Sequence, residues 1–80
     1  MVEAFVAITT APGAEDKVFE ELCNMPEVKE VYMIYGPHDL IAYIEAPNTD
    51  HVRQVVLRIR QIEGVKTTTT MTVSRKKIKR

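Results

Sequence analysis

His38 and Asp39 are the first residues of this 80-residue chain whose side chains could do acid-base chemistry, because they stand together in the stretch Tyr35-Gly-Pro-His-Asp39. Neighbouring residues of an extended chain point to opposite faces, so Asp39 is badly placed to orient the His38 imidazole as a catalytic carboxylate does. No local motif places a serine or cysteine nucleophile beside them. We therefore expect a turn, in which Asp39 accepts hydrogen bonds from loop amides, or a ligand contact.

Metal, cofactor and phosphate chemistry have little support in the sequence. No regular spacing joins His38 to His51, and the acidic residues between positions 15 and 21 are typical of a solvated helix face. The single cysteine, Cys23, excludes an intrachain disulfide and a zinc thiolate cluster, and we expect it to be a buried apolar residue. The three glycines are isolated, so no phosphate loop is predicted. We expect neither a metal nor a cofactor.

The threonine run at positions 67–70 offers a second kind of chemistry. If it is a strand, Thr68, Thr70 and Thr72 share one face, and the other face takes Val65, Thr67, Thr69, Met71 and Val73. Hydroxyl groups both donate and accept hydrogen bonds, so a row of them suits a ligand with ammonium and carboxylate groups. The plain alternative is a solvent-facing strand, where threonine is favoured.

The elements that must position these residues follow from the hydrophobic pattern. Runs rich in β-branched and aromatic residues predict four strands, at residues 2–10, 28–35, 39–46 and 65–74. Two stripes of apolar residues spaced by three or four predict helices, namely Ala14, Val18, Leu22 and Met25, and then Val52, Val55, Val56, Ile59 and Ile62. Pro26 ends the first helix near Asn24, and Pro47-Asn-Thr-Asp50 is a capping cluster for the second.

The two halves of the chain repeat one pattern of strand, helix and strand. A shift of 37 residues places Val18 on Val55 and Leu22 on Ile59. Two such units joined by a hairpin predict an α+β, ferredoxin-like βαββαβ fold, in which a four-stranded antiparallel sheet carries both helices on one face.

Both faces of that sheet are apolar. The first strand offers Phe5 and Ala7 on one side and Ala4, Val6 and Ile8 on the other, and the third strand offers Leu40, Ala42 and Ile44 opposite Ile41 and Tyr43. Helices cover only one face, and several hundred Å² of exposed apolar surface would forgo many kcal/mol at about 25 cal/mol per Å². We therefore expect a second subunit to cover the other face and form a dimeric α/β barrel.

Length and charge indicate one domain, residues 1–75, followed by a basic tail, residues 76–80. Five of the 11 Lys and Arg residues lie at positions 75–80, which leaves six basic residues against 11 acidic ones before them. We expect the tail to be a solvated strand end, since no basic helix or aromatic interleaving accompanies it. No apolar run approaches the roughly 18 residues that span a membrane, so a cytoplasmic protein is expected.

The order of these motifs resembles the ligand-binding domain of the Lrp/AsnC transcriptional regulators, also called the RAM domain. Three stretches carry the resemblance: P-E-V-K-E-V-Y at 26–32, Y-G-P-H-D-L-I-A-Y-I at 35–44, and E-G-V-K-T-T-T-T-M-T-V at 63–73. It extends over about residues 2–75. The family pattern has an aromatic or similar residue just before the aspartate, where this chain has His38.

The resemblance implies a non-enzymatic module that senses a small effector, typically an amino acid, bound between homodimers that associate into rings, often octamers. The matching positions are Tyr35, Gly36, His38 and Asp39 in the hairpin, and Thr68 and Thr70 in the last strand. Gly36 would admit a ligand to the backbone, Asp39 would hold the loop or receive the ammonium group, and the hydroxyls would meet the carboxylate.

The family's helix-turn-helix is not recognisable here, because residue 1 is already at the first strand. We therefore expect a stand-alone family member that does not bind DNA directly, with full-length Lrp/AsnC regulators as candidate partners.

Two alternatives stay open. One is a small dimeric ferredoxin-like barrel enzyme, similar to cofactor-free monooxygenases, whose barrel encloses the substrate and whose His38 moves protons. A space between the sheets filled by Phe5, Ala42 and Ile44 would count against it. The other is a purely structural assembly whose basic tail docks on acidic partners.

Overall fold

The computed structural model describes residues 1–80 and contains four strands and two helices in the predicted order. The strands are β1 (Val2–Thr10), β2 (Val28–Met33), β3 (Leu40–Ala46) and β4 (Val65–Thr72). The helices are α1 (Glu15–Cys23) and α2 (Thr49–Arg60). β2 stops before the predicted Tyr35, because the hairpin already closes at Ile34, whose backbone N–H donates to Asp39 O over 3.0 Å.

The strands form one antiparallel sheet in the order β2-β3-β1-β4, with both helices packed on one face. The register pairs Val6 of β1 with Ala42 of β3 on one side and with Thr70 of β4 on the other. This is the α+β, ferredoxin-like βαββαβ arrangement that the sequence predicted. The two central strands, β3 and β1, carry the most apolar sequences, as burial between neighbours requires.

The core lies between the sheet and the helices. Its strand residues are Ala4, Val6, Ile8, Leu40, Ala42 and Ile44, and its helix residues are Val18, Leu22, Val52, Val55, Val56 and Ile59. Val18 and Val55, which the internal repeat places in equivalent positions, are both fully buried. The repeat and the two predicted stripes are thereby confirmed.

The sheet face that points away from the helices is called the open face below. It carries Phe5, Ala7, Tyr32, Ile41, Tyr43, Thr67, Thr69 and Met71, together with Glu3, Glu30 and Glu45 at one end. Phe5 pairs with Tyr43, whereas Ala42 and Ile44 pair with Val6 and Ala4. The expectation that Ala42 and Ile44 would share a face with Phe5 is therefore wrong.

A bulge next to Thr9 and Thr10 changes the alternation of β4. Thr67 pairs with Thr9, but Val65 pairs with Thr10, so Val65 turns toward the core and packs against it. The alternation of an uninterrupted strand had predicted that Val65 shares a face with Thr67. The bulge brings one additional apolar side chain to the covered face.

Gly64 sits where the loop before β4 meets α1. Its φ is +103°, a left-handed conformation that side chains rarely adopt. A Cβ at this position would lie 2.7 Å from Ala14 Cβ and 3.3 Å from Val18 Cγ2. Glycine is required here both for the backbone turn and for the close approach of α1.

Cys23 is exposed at the end of α1, which corrects the expectation that it is buried. Leu22, one residue earlier, is fully buried against the sheet. Successive residues of an α-helix are turned by about 100° because there are 3.6 residues per turn, so the residue after Leu22 points away from the core.

Candidate ligand-binding site

The hairpin between β2 and β3 holds four of the residues that the resemblance singled out. Tyr35 is fully exposed at its tip, and Gly36 follows with a φ of +136°, which favours glycine. No heavy atom lies within 4 Å of a Cβ built on Gly36, so the space beside its backbone is open. The hairpin therefore presents an accessible stretch of backbone beside an aromatic ring.

Asp39 fastens this hairpin to the end of β1. Its Oδ2 accepts hydrogen bonds from the backbone N–H of Thr10 over 2.8 Å and from Thr10 Oγ1 over 3.3 Å. Its own backbone N–H donates to Ile8 O over 2.9 Å. The other carboxylate oxygen, Oδ1, makes no hydrogen bond within the chain. Asp39 thus holds the loop and keeps one charged oxygen for a further partner.

His38 is half-buried, and its Nδ1 is enclosed without a hydrogen-bond partner. The Asp39 carboxylate turns to Thr10 and does not orient the imidazole. The two neighbours therefore do not form an acid-base dyad.

A depression of about 340 Å³ lies between the hairpin and the start of α1. It is called the hairpin depression below, and its lining residues are Glu15, Asp16, Met33, Ile34, Tyr35 and Asp39. Three carboxyl side chains stand beside apolar and aromatic ones in this depression. Carboxylates attract a cationic group, so the lining suits a ligand with an ammonium group next to an apolar side chain.

Thr68 and Thr70 lie on the helix-facing side of β4, away from the hairpin depression. Thr68 Oγ1 accepts a hydrogen bond from Arg60 Nε over 2.9 Å. Thr70 lines a groove of about 400 Å³ between α2 and β4, together with Thr49, Val52, Arg53, Val56, Leu57, Arg60 and Thr72. Two strand spacings, about 10 Å, separate β3 from β4. One chain therefore does not bring these hydroxyls to the hairpin.

A charged cluster that the sequence did not reveal joins the start of β2 to α2. Glu27 Oε2 lies 2.8 Å from His51 Nε2 and accepts a hydrogen bond from Arg58 Nη2 over 2.6 Å. The hydrogen bond with His51, supported by a backbone hydrogen bond and by Arg58, lowers the pKa of Glu27 to about 2. The three residues are remote in sequence and follow no motif, so only the fold reveals them.

The open face carries an aromatic pair and an acidic end. The ring centroids of Phe5 and Tyr43 lie 5.2 Å apart. The Tyr43 hydroxyl donates to Glu3 and to Glu45, the latter over 3.1 Å. The acceptor carboxylate of Glu3, with burial and Glu45, raises the pKa of Tyr43 well above its ordinary value. Lys76 Nζ donates to Glu3 Oε2 over 2.6 Å, and this hydrogen bond is the main cause of a lowered Glu3 pKa.

The tail also lines a depression of about 790 Å³ on this face. Its apolar members are Phe5, Tyr43, Met71, Val73 and Ile78. Lys76 is thus hydrogen-bonded to the sheet, whereas Ile78 is 69% exposed, as expected of a solvated tail.

Neither helix is long and apolar enough to cross a membrane. No group of three or more His, Cys, Asp or Glu side chains is arranged to hold a metal ion.

These features define a class: a ferredoxin-like βαββαβ domain with an unpaired apolar sheet face and an open hairpin fastened by an aspartate. The Lrp/AsnC ligand binding domain model matches residues 3–80. The chain belongs to this family of domains, which is related to transcriptional regulators.

Two curated relatives illustrate how the domain is used. A helix-turn-helix transcriptional regulator of Pyrococcus abyssi, itself uncharacterized, is 35% identical over 72 residues, covering 85% of this chain and 48% of the regulator. A homocitrate synthase of Sulfurisphaera tokodaii is 36% identical over 76 residues, covering 94% of this chain and 16% of that protein. The chain thus spans about half the length of the regulators that it matches.

Two solved structures show the same fold. FFRP-DM1 is 40% identical with a TM-score of 0.88, and the match covers 91% of this chain and 99% of that one. The transcriptional regulator NMB0573 of Neisseria meningitidis, solved in complex with L-Met, has a TM-score of 0.85 at 20% identity, over 99% of this chain and 53% of that one.

Proposed function

We propose that this chain is a non-enzymatic module that senses an amino acid and assembles through its open face. Two copies pair sheet to sheet in a dimeric α/β barrel, dimers associate into a higher, octamer-type ring, and the effector binds between dimers. The observation that carries the proposal is the open face, an apolar surface that neither helix covers.

The exposed side chains of that face support pairing of two copies. Tyr32 is 47% exposed, Met71 45% and Phe5 37%, although all three lie within strands of the sheet. Covering such side chains stabilises a protein by roughly 25 cal/mol per Å² of apolar surface. A second copy offers a face of the same shape and chemistry, as a two-fold interface requires.

The hairpin depression supports an amino acid as the effector. The free Oδ1 of Asp39 is suited to an ammonium group, and Met33, Ile34 and Tyr35 are suited to an apolar side chain. The related regulator solved with L-Met favours the same ligand class. Since Thr68 and Thr70 lie in other depressions, an effector that meets them and the hairpin together has to lie between chains.

The relatives favour two kinds of partner. Helix-turn-helix regulators that carry this domain support co-assembly with full-length Lrp/AsnC regulators in the cytoplasm, with those regulators binding the DNA. The homocitrate synthase favours a second candidate, in which the domain reports effector levels to a biosynthetic enzyme.

The alternative of a barrel enzyme has less support. His38 sits in the hairpin at one end of the sheet rather than on a strand of the open face, and Asp39 is bonded to Thr10. A proton carrier inside the barrel would have to come from a strand, so we propose no catalytic role for His38.

Isothermal titration calorimetry across the amino acids tests the effector proposal, with Asp39→Asn as the decisive variant. The amide oxygen of asparagine still accepts the hydrogen bond from Thr10 N, so the hairpin is kept while the negative charge is lost. We expect at least one apolar amino acid to bind more tightly than millimolar, and Asp39→Asn to weaken it about tenfold or more, the usual effect of losing a hydrogen bond to a charged group.

Glu20→Gln is the matched control, because Glu20 is an exposed α1 carboxylate that does not line the hairpin depression. It should leave the affinity unchanged. Binding weaker than millimolar for every amino acid, or equal affinities in Asp39→Asn and the parent chain, would reject the effector role.

A further inference from the structure

Four of the six basic residues before position 75 have no carboxylate partner within the chain. Of the six in residues 1–74, two form ion pairs with glutamates and one donates to a backbone carbonyl. The remaining three are Arg53, Arg60 and Lys66, and all three border the side of the molecule where α2 lies beside β4.

Two of these cations converge where α2 ends and β4 begins. Arg60 and Lys66, with Val65, Thr67 and Thr68, line a depression of about 340 Å³, called the corner cluster below. None of its five residues is acidic. β4 is an edge strand, so backbone N–H groups on its outer side also face this region.

The hydrogen bonds of the cluster leave its best anion-binding groups free. Thr68 Oγ1 accepts from Arg60 Nε over 2.9 Å, which fixes the plane of the guanidinium and leaves the Nη1 and Nη2 edge unbonded. That edge is a planar fork that matches the two oxygens of a carboxylate or phosphate group. Lys66 forms no ion pair and adds a second positive charge.

The end of α2 opposes an anion only weakly. The carboxyl end of a helix carries a partial charge of about −0.5, against two full positive charges in the cluster. The carbonyls of Arg58 and Ile59 near this end already accept the backbone N–H of Gln61, so part of their negative potential is satisfied.

We propose that the corner cluster is an oxyanion-binding site that takes the carboxylate or phosphate group of a small molecule. The inference rests on the proposed function in one respect, that an amino-acid effector is one source of the carboxylate. An α-amino acid carries its two charged groups on the same carbon, and the hairpin and corner depressions share no residue. The ammonium group would then meet Asp39 of one subunit while the carboxylate meets Arg60 and Lys66 of another.

NMR titration of the arginine Nε–H and backbone amide signals tests the site at low ionic strength, where screening is weak. Acetate and inorganic phosphate are the probes, and they separate carboxylate from phosphate preference. We expect saturable shifts at Arg60, Lys66, Thr67 and Thr68 with at least one probe. Arg60→Gln and Lys66→Gln should each weaken the binding about tenfold, whereas Arg53→Gln, two turns along α2 from Arg60, should not.

Failure of this site can be told apart from failure of the effector proposal. If the anions cause no saturable shift, or if Arg53→Gln weakens them as much as Arg60→Gln, the corner site is rejected. If an amino acid binds the parent chain and Arg60→Gln equally, the sensing module stands, and the assignment of the effector's carboxylate to the corner cluster falls. If the anions bind at the corner but no amino acid binds, the corner site stands and the amino-acid effector falls. All three substituted residues are exposed, and thermal unfolding checks that each variant is folded.

Discussion

The two faces of the sheet are built from the same strands, yet they are finished in different ways. The covered face is closed by the chain's own helices, and Val6, Leu40 and Ile44 on it are fully buried. The open face carries Phe5 and Tyr43 as a partly exposed pair beside hydrogen-bonded carboxylates. Successive residues of each strand point to opposite faces, so the buried and the exposed side chains alternate along the chain. One face therefore closes the core of the single chain, while the other leaves apolar side chains exposed, as the proposed pairing of two copies requires.

The largest difference is expected between two isoleucines of β3, one on each face. Ile44→Ala removes a fully buried side chain and should cost about 2–5 kcal/mol of unfolding free energy at every protein concentration. Ile41→Ala is the matched variant on the open face, where the side chain is only half-buried. Its smaller cost should grow with protein concentration, because it would act through the proposed dimer. Urea unfolding at two concentrations measures both, and equal, concentration-independent losses would erase the contrast.

Gly64 lies where α1 approaches the loop before β4 most closely. Gly64→Ala forces a residue with a side chain to adopt a φ of +103° and places its Cβ against Ala14. The backbone strain should lower the free energy of unfolding by about 1–3 kcal/mol, and the close contact should lower it further. Gly13→Ala is the control, because Gly13 has a φ of +86° but no neighbour within 4 Å of an added Cβ. In thermal unfolding, the midpoint temperature of Gly64→Ala should lie well below that of Gly13→Ala. The reverse order would mean that α1 does not approach Gly64 closely.

Acid should weaken the charged cluster that joins the start of β2 to α2. The pKa of Glu27 is lowered to about 2 from an ordinary 4.5, so its stabilising effect is complete above pH 4.5 and is lost as the pH falls toward 2. In Glu27→Gln the fall of stability over this window should be shallower. The control is Glu20→Gln, an exposed carboxylate outside every ion pair. Chemical unfolding at a series of pH values measures the slopes, and parallel slopes for both variants would remove the role of the Glu27 cluster.

The smallest effect is expected at the hairpin, which joins the neighbouring strands β2 and β3. Thr10→Val removes the hydroxyl that donates to Asp39 Oδ2 over 3.3 Å but keeps the backbone hydrogen bond. A net loss of about 0.5–1.5 kcal/mol is typical for one hydrogen bond. Hydrogen exchange of the hairpin amides should quicken while the amides of α2 stay protected. Uniform quickening throughout the chain would indicate a general loss of stability rather than a local one.

The sequence predicts the fold well and the site only partly, for physical reasons. Local spacing is visible in a single sequence. It predicts the order of the elements, the hairpin, and the equivalent positions of Val18 and Val55. The face shared by Ala42 and Val6 depends on the register between β1 and β3, and the bulge beside Thr10 turns Val65 to the covered face without a local signal.

Local spacing does not reveal contacts between residues that are remote in sequence. Arg60 meets Thr68 only because α2 and β4 pack side by side, and Glu27 meets His51 only in the folded chain. Lys66 in the corner cluster has no motif that marks it. One usable signal in the sequence is the basic residues of α2 and β4, among them Arg53, Arg60 and Lys66.

Sedimentation equilibrium of the parent chain and of Phe5→Arg determines whether the open face is an association surface. Arginine at this position would place a charge inside the paired sheets, while the covered face keeps its core. We predict that the parent chain sediments at no less than twice its 9.1 kDa mass at micromolar concentration, and that Phe5→Arg shifts toward a folded monomer. A parent chain that remains a 9.1 kDa monomer, or a Phe5→Arg variant that assembles as tightly as the parent, would contradict it.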